Sequence, residues 1–280
     1  MNLKSCLRKI PGLMQLRNIQ LAFHAPLSEQ IRSHRVICQY RNLYEGKRCF
    51  IIGNGPSLSA EDLDKLRDEI TFGFNKIYLI FPKTEWRPTF YCVQDEQVLC
   101  GIEDHMLAEV SGRSQATFVR MQSFGKISGR GIRAEKLISV PIWNRISGDG
   151  RIRFSKRADR FTYDGSTVSY FALQLAAYMG FREIYLLGVD NNFPYRMKRT
   201  GEIVANDTSL KAHFFDGTKD DFARDSLINR SNNYEVVNSA YRSAEAFSRA
   251  DGNFRIFNAT RGGILETFER VDMDEVLRNR

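Results

Sequence analysis

Residues 163–193 read YDGSTVSYFALQLAAYMGFREIYLLGVDNNF, and their pattern decides the fold. Gly165-Ser166-Thr167 supplies a turn. The small and apolar run Val168–Met179 then predicts a helix, and Gly180 stands where a helix usually ends on a left-handed glycine. EIYLLGVD follows as an apolar run that stops at Gly188-Val189-Asp190, as a parallel strand covered on both faces should. A helix feeding such a strand is half of a βαβ unit.

Working outward, FIIGNGPSLSAEDL starts at Phe50. Its strand, Cys49–Ile52, breaks on Gly53-Asn54-Gly55-Pro56 and restarts as a helix. Ser59 is placed as N-cap, with Asp62 three residues on and Leu63 and Leu66 on the apolar side. ITFGF (Ile70–Phe74) predicts a second strand leading to Asn75, and PTFYCVQD a third ending at Gln94-Asp95. GIEDHMLAEV reads as helix, QATFVRM as a fourth strand, NYEVVNSAYRSAEAFSRA as a helix and FRIFNAT as the last strand. Alternating strands and helices predict an open, mostly parallel, Rossmann-like α/β sheet with helices on both faces.

Ligands of such sheets lie at the carboxyl ends of the strands. Those ends gather Asn54, Gly55, Pro56, Ser57, Asn75, Gln94, Asp95, Asp190, Asn191 and Asn258-Ala259-Thr260. The turn at 53–57 lacks the third glycine of GxGxxG, and the phosphate loop GxxxxGK[ST] is absent. What the turn does offer is a helix start, with N–H groups and partial positive charge for an anion.

The chain has 280 residues, 42% of them hydrophobic and 26% charged, enough for one core plus an appendage. Its net charge of +8 is concentrated. Residues 1–46 carry seven Lys/Arg against two acids, and residues 126–160 carry ten against three. These segments predict a basic N-terminal helical extension (1–46) on a main domain (47–280) with a basic insertion or lid at 124–160. They point to anionic partners: a nucleotide, lipopolysaccharide phosphate or an anionic membrane surface. No nucleic-acid module surrounds them, so nucleic acid is not expected. Trp86 and Trp143 read as packing residues. Cys6, Cys38, Cys49, Cys92 and Cys100 show no CxxC pair and no zinc spacing, which fits reduced thiols in a cytoplasm. The first residues have neither a secretory leader nor an apolar run of the ~18 residues that spanning needs. A cytoplasmic protein, with peripheral contact to the inner membrane face, is the expectation. A homo-oligomer is compatible with this.

IIGNGPSL, GFNKIY and GSTVSYFALQLAAYMGFREIYLLGVDNNF, in that order, resemble the bacterial sialyltransferases of the Campylobacter lipooligosaccharide type. They also resemble the wider MptE-like group, which includes the central domain of the Maf flagellin glycosyltransferases and the archaeal 6-hydroxymethylpterin pyrophosphokinase. NATRGGILETFERV is similar to the ATEGG ending of MptE-like members, with Arg261 in place of the glutamate. The resemblance implies that Asn54, Gly55, Pro56 and Ser57 hold the CMP part of a CMP-sugar donor and that Asn75 faces it. Gly165, Ser166 and Thr167 would contact sugar or nucleotide, and Asp190, Asn191 and Phe193 would meet the ribose and cytosine. The family's asparagine after the third strand is matched by Cys92 or Gln94, and Tyr195 is the candidate for its tyrosine near the departing phosphate. A histidine serves these enzymes as general base without metal, and His213 in LKAHFFDG has a similar aromatic setting.

The residues themselves support part of this. Of His24, His34, His105 and His213, only His213 follows the motif core, flanked by aromatics and Asp216. An imidazole there can take a proton from an attacking hydroxyl. A carboxylate closing an apolar strand, as Asp190 does, is costly without partners or a task. The expected function is an inverting, metal-independent transfer of an acidic sugar from a CMP donor to a glycan, lipid-linked or protein acceptor. The alternative is a pyrophosphokinase using ATP and Mg²⁺, with Asp190 and Asp95 as the candidate metal ligands.

Overall fold

The computed structural model describes residues 25–143, 152–198, 202–215 and 231–279. Expectations for residues 1–24, for Asp216 and for residues 144–151 lie outside them. The chain begins with α1 (Leu27–Cys38), β1 (Arg48–Ile52), α2 (Ala60–Lys65), β2 (Thr71–Phe74) and β3 (Phe90–Val93). Next come α3 (Glu96–Cys100), α4 (Asp104–Arg113), β4 (Ala116–Arg120), α5 (Phe124–Ile127), β5 (Leu137–Val140), β6 (Ile142–Trp143) and β7 (Thr162–Tyr163). α6 (Val168–Met179), β8 (Glu183–Leu187), β9 (Tyr195–Met197), β10 (Ile203–Ala205) and β11 (Ser231–Asn232) follow. The chain closes with α7 (Tyr234–Asp251), β12 (Arg255–Asn258), β13 (Glu269–Arg270) and α8 (Met273–Arg278).

Eight strands form one sheet in the order β13-β12-β8-β1-β2-β3-β4-β5, and every pairing in it is parallel. The chain winds outward from β1 to β5, then returns to the other side of β1 as β8. The switch point therefore falls between β1 and β8. Alternation along β1 sends Cys49 and Ile51 into one apolar cluster, with α6 and α7, and Phe50 and Ile52 into another, with α2, α3, α4 and α8. Both faces are covered, as continuously apolar strands require.

Helix α6 is buried from Ser169 to Met179, as a helix apolar all round must be. Its mid-helix Gln174 is satisfied: Oε1 accepts from the N–H groups of Ser155 and Tyr163, and Nε2 donates to Tyr163 O and Tyr170 O. Gly180 ends it at φ +86, in the left-handed region. Ser59 caps α2 by accepting from Asp62 N–H. Trp86 is buried, and Trp143 stacks on Phe161 at 4.0 Å, so both are packing residues.

Part of the segment 124–160 belongs to the main sheet. Leu137–Val140 is the edge strand of the main sheet, too short and too surrounded by arginine and glycine to show a period. The described part of the basic extension, residues 25–46, packs on the body. α1 covers β5, where Ser139 N–H donates to Ser33 Oγ and Arg32 donates to the carbonyls of Ala134 and Leu137. No helix among the described residues is long and apolar enough to cross a membrane.

Candidate active site

At the switch point the ends of β1 and β8 run almost in contact. Gly53 N–H donates to Leu187 O at 2.7 Å and Gly55 N–H to Gly188 O at 2.8 Å. A Cβ on Gly55 would run into the carboxylate of Asp190. The glycine is needed for this approach of backbone to side chain. Asp190 is 7% exposed, and Ser57 Oγ donates to its Oδ2 at 2.8 Å. Burial raises its pKa above the ordinary carboxylate value, while the Ser57 hydroxyl and backbone and the charge of Arg270 act the other way. Asp190 thus holds the 53–57 turn in shape as well as lining the cleft.

A second anchor reaches the helix that follows this turn. Arg261 donates through both terminal nitrogens to the carboxylate of Asp62, at 2.8 and 2.7 Å. Gly263, two residues beyond it, lies against Asp190, whose carbonyl oxygen would be 2.6 Å from a Cβ on Gly263.

The cleft itself encloses about 870 Å³ above the strand ends. Asn54, Asn75 and Gln94 line it from three adjacent strands, β1, β2 and β3. Two of these amides are half used. Asn54 Nδ2 donates to Phe74 O and Gln94 Nε2 to Asp164 Oδ1. Asn54 Oδ1, Asn75 Oδ1 and Gln94 Oε1 are buried and have no hydrogen-bond partner among the described residues. Buried acceptors without donors are costly, and a ligand rich in N–H or O–H groups relieves that cost. Asn75 also holds φ +47, a strained angle for a residue with a Cβ, and Tyr91 OH braces its carbonyl at 2.5 Å.

His213 also lines the cleft. Phe215 stacks on its ring at 5.0 Å and Phe193 meets it edge-on at 5.9 Å. The next residue ties the loop to the turn, since Phe214 N–H donates to Asn54 O at 3.0 Å. His213 is the only imidazole lining the cleft among the described residues.

The fourth wall is the turn before α6. Asp164 Oδ1 accepts from Gln94 Nε2 and from Ser166 N–H, both at 2.8 Å. This joins the end of β3 to a turn in which Ser166 adopts φ +56. Thr167 Oγ1 and Ser169 Oγ lie 2.8 Å apart, and Ser169 Oγ is 2.6 Å from Tyr241 OH. Sequence reasoning missed Asp164, although an aspartate two residues before a turn is a known turn former. It also missed Arg120, which closes β4 and lines the cleft. Nothing local marks Arg120, because only the sheet order brings it there.

Asn54, Gly55, Asn75, Gln94, Asp95, Ser166, Thr167, Asp190, Asn191, Phe193 and His213 all line this one cleft. Pro56, Ser57 and Tyr195 are not among its lining residues. Pro56 is exposed, Ser57 turns inward to Asp190, and Tyr195 lies in β9 of a separate three-stranded sheet. Asp95 is exposed and its Oδ1 caps α3, accepting from the N–H groups of Gln97 and Val98. Asn191, at φ +53, donates from Nδ2 to Asn238 Oδ1 at 3.0 Å.

A family model described as 6-hydroxymethylpterin diphosphokinase MptE-like matches residues 26–196. No curated protein sequence matches the chain. Among solved structures, the Maf glycosyltransferase from Magnetospirillum magneticum AMB-1 is similar at a TM-score of 0.47 and 15% identity, over 87% of this chain and 38% of that one. This chain thus spans well under half the length of the Maf protein. The Campylobacter jejuni sialyltransferase CstII, solved with cytidine-5'-monophosphate, is similar at a TM-score of 0.47 and 16% identity, over 81% of this chain and 85% of that one. The sialyltransferase CST-II with trisaccharide acceptor and CMP gives 0.44 and 14%, over 80% and 85%.

Proposed function

The chain belongs to the 6-hydroxymethylpterin diphosphokinase MptE-like family, and we propose that it is a glycosyltransferase working from a CMP-activated, sialic-acid-like sugar. The observation that carries this reading is His213, clasped by Phe193 and Phe215 and tied through Phe214 to Asn54. It lines the same cleft as Asn54, Asn75 and Gln94, whose buried amide oxygens have no hydrogen-bond partner among the described residues.

In this reading the amide oxygens accept from the hydroxyl and amino groups of the donor. The acceptor hydroxyl gives its proton to the His213 imidazole as its oxygen bonds to the anomeric carbon. The bond from that carbon to the CMP phosphate oxygen breaks, CMP leaves with the electron pair, and the configuration inverts. CMP is a good leaving group, so positioning and one base suffice. The acceptor is a cell-surface glycan, a lipid-linked glycan or a protein. Work in lipopolysaccharide biosynthesis, at the cytoplasmic face of a membrane, suits the basic segments.

The family description favours a second reading, transfer of pyrophosphate from ATP to a pterin-like alcohol with Mg²⁺. Such a site gathers carboxylates on the metal. Here each cleft carboxylate is tied separately: Asp95 to the start of α3, Asp164 to Gln94 and Ser166, and Asp190 to Ser57. Among the described residues the one set of three close metal-ligating side chains is His34, Cys38 and Asp159, away from the cleft. The cleft residues therefore fit Mg²⁺ poorly.

Thermal unfolding with CMP, CDP, UDP, GDP and ATP, each with and without Mg²⁺, separates the readings, because a ligand of the folded state raises its stability. Stabilisation by CMP regardless of Mg²⁺ is expected. A shift with ATP and Mg²⁺ alone would overturn the proposal in favour of the second reading.

A further inference from the structure

Three hydroxyl groups form a chain in one wall of the cleft. Thr167 Oγ1 lies 2.8 Å from Ser169 Oγ, which lies 2.6 Å from Tyr241 OH. Two links use two protons, so one of the three is left over. All three residues line the cleft, but Ser169 is 3% exposed and Tyr241 1%, whereas Thr167 is half-buried. Among the described residues neither Ser169 Oγ nor Tyr241 OH has an acceptor outside the chain. A spare proton on either would be buried and unpaired, which is costly. On Thr167 it lies where water or a ligand can accept it. The chain therefore runs from Tyr241 to Ser169 to Thr167, each hydroxyl donating to the next.

The phenol suits the head of such a chain. Burial raises its pKa above the ordinary tyrosine value, against the opposite pull of Ser169 and Thr167, so it keeps its proton. Because it donates into Ser169, the serine turns its own proton on Thr167. Without the phenol, Ser169 is free to bond a carbonyl of its own helix, as helical serines do, and to accept from Thr167 instead. The Thr167 proton would then point inward. Thr167 is the N-cap residue of α6, yet its hydroxyl makes no capping bond, so it is not spent on the helix. The positive end of that twelve-residue helix favours a negatively charged oxygen beside it.

We infer that Tyr241 is a positioning residue, which through Ser169 holds the Thr167 hydroxyl as a hydrogen-bond donor to an anionic oxygen of the nucleotide-sugar. This rests on the nucleotide-sugar reading and deepens it. Asn54, Asn75 and Gln94 bring acceptor oxygens to the cleft, and Thr167 brings the complementary donor.

The test is calorimetric titration of the full chain with cytidine, CMP and CMP-linked sialic acid. The proteins are the wild type, Thr167→Val, Thr167→Ser, Tyr241→Phe and the Thr167→Val/Tyr241→Phe double variant. Thr167→Val should weaken binding of the ligand that supplies the oxygen about 10-fold or more, and Tyr241→Phe about 3- to 10-fold. A loss already seen with CMP makes the partner a phosphate oxygen. A loss confined to what CMP-linked sialic acid gains over CMP makes it the sugar carboxylate. Cytidine should bind all the proteins alike, and Thr167→Ser, which keeps the hydroxyl, should behave as the wild type. Tyr241→Phe should cost nothing further once Thr167 is valine, because it acts only through that hydroxyl. If Tyr241→Phe does not fold, Ser169→Ala, which cuts the chain at its middle, takes its place with the same expectations. Unchanged binding in Thr167→Val or in Tyr241→Phe overturns the inference and leaves the CMP reading standing. So does a loss in Tyr241→Phe that extends equally to cytidine, or that adds in full to that of Thr167→Val. If the wild type binds neither CMP nor its conjugate, the nucleotide-sugar reading fails and the inference falls with it.

Discussion

Phe214 N–H donates to the carbonyl oxygen of Asn54 at 3.0 Å. This main-chain bond joins two segments that meet only because β1 lies beside β8. It fixes the loop carrying His213 at a set offset from the turn that ends β1. The adjoining ring contacts to Phe193 and Phe215 then leave the imidazole few orientations. A base must be positioned before it can act, and here the peptide backbone does the positioning.

Because that bond is main chain to main chain, replacing the imidazole should leave the loop in place. His213→Ala and His213→Gln are expected to lower kcat/KM for transfer by roughly 10²–10⁴-fold. Their melting curves, and the shift that CMP produces, should match the wild type. Steady-state assays beside thermal unfolding check this. Near-full transfer activity in His213→Ala would remove His213 from the mechanism.

The strands flanking the switch point were legible in sequence for a physical reason. A strand buried on both faces must be apolar at every position, and Glu183–Leu187 nearly is, while Gly180 marks the helix end before it. Asn54, Asn75 and Asp190 were legible because each breaks such a run. Three features were not. Leu137–Val140 is four residues long in arginine-rich surroundings, so its pairing with β4 comes from topology. Tyr195 stands close in sequence to Phe193, yet β9 carries it out of the cleft lining while Phe193 stays. Asp164 escaped notice because its work is done through hydrogen bonds to Gln94 and Ser166, which no spacing announces.

Gly55→Ala tests how tightly the turn is packed. The new methyl would overlap Asp190 Oδ2 and lie 2.7 Å from Gly188 O, with backbone on one side and a buried carboxylate on the other. Neither can retreat easily. The variant should lose about 2 kcal/mol of stability, as overpacked sites do. It should also lose the stabilisation by CMP, because the turn and Asp190 must separate. A variant that melts and binds CMP like the wild type would show that this contact is soft.

Arg261 and Asp62 should behave as a unit. Asp62 is 2% exposed, whereas the Arg261 side chain is 57% exposed, so the pair is half screened. Arg261→Ala leaves a buried carboxylate without its two strongest donors. The expected loss is about 2 kcal/mol, below the range for a fully buried pair. For a chain of this size that corresponds to a fall of about 5 °C in Tm. Adding Asp62→Asn to Arg261→Ala should restore part of the loss, because no buried charge then remains. Additive losses in the double variant would mean that the two side chains act independently.

Asp190 gives a prediction in pH. Burial raises its folded-state pKa above the ordinary value, so between those two values the folded chain holds a proton that the unfolded chain has released. Stability from this group is present at acid pH and is lost as pH rises through the folded-state value. Once ionised, the carboxylate keeps only what the Ser57 hydroxyl and the backbone groups and the charge of Arg270 return. Asp190→Asn keeps an oxygen for that hydroxyl and carries no charge. Its Tm relative to the wild type should therefore increase from about pH 4 upward and level off once the wild-type carboxylate is fully ionised. Asp190→Ala, which keeps no acceptor for Ser57, should melt below both at neutral pH. Thermal unfolding of the three proteins from pH 4 to pH 8 measures this. A difference between Asp190→Asn and wild type that stays flat across that range would mean that the buried carboxylate is already compensated, and that its place beside Gly55 costs the fold nothing.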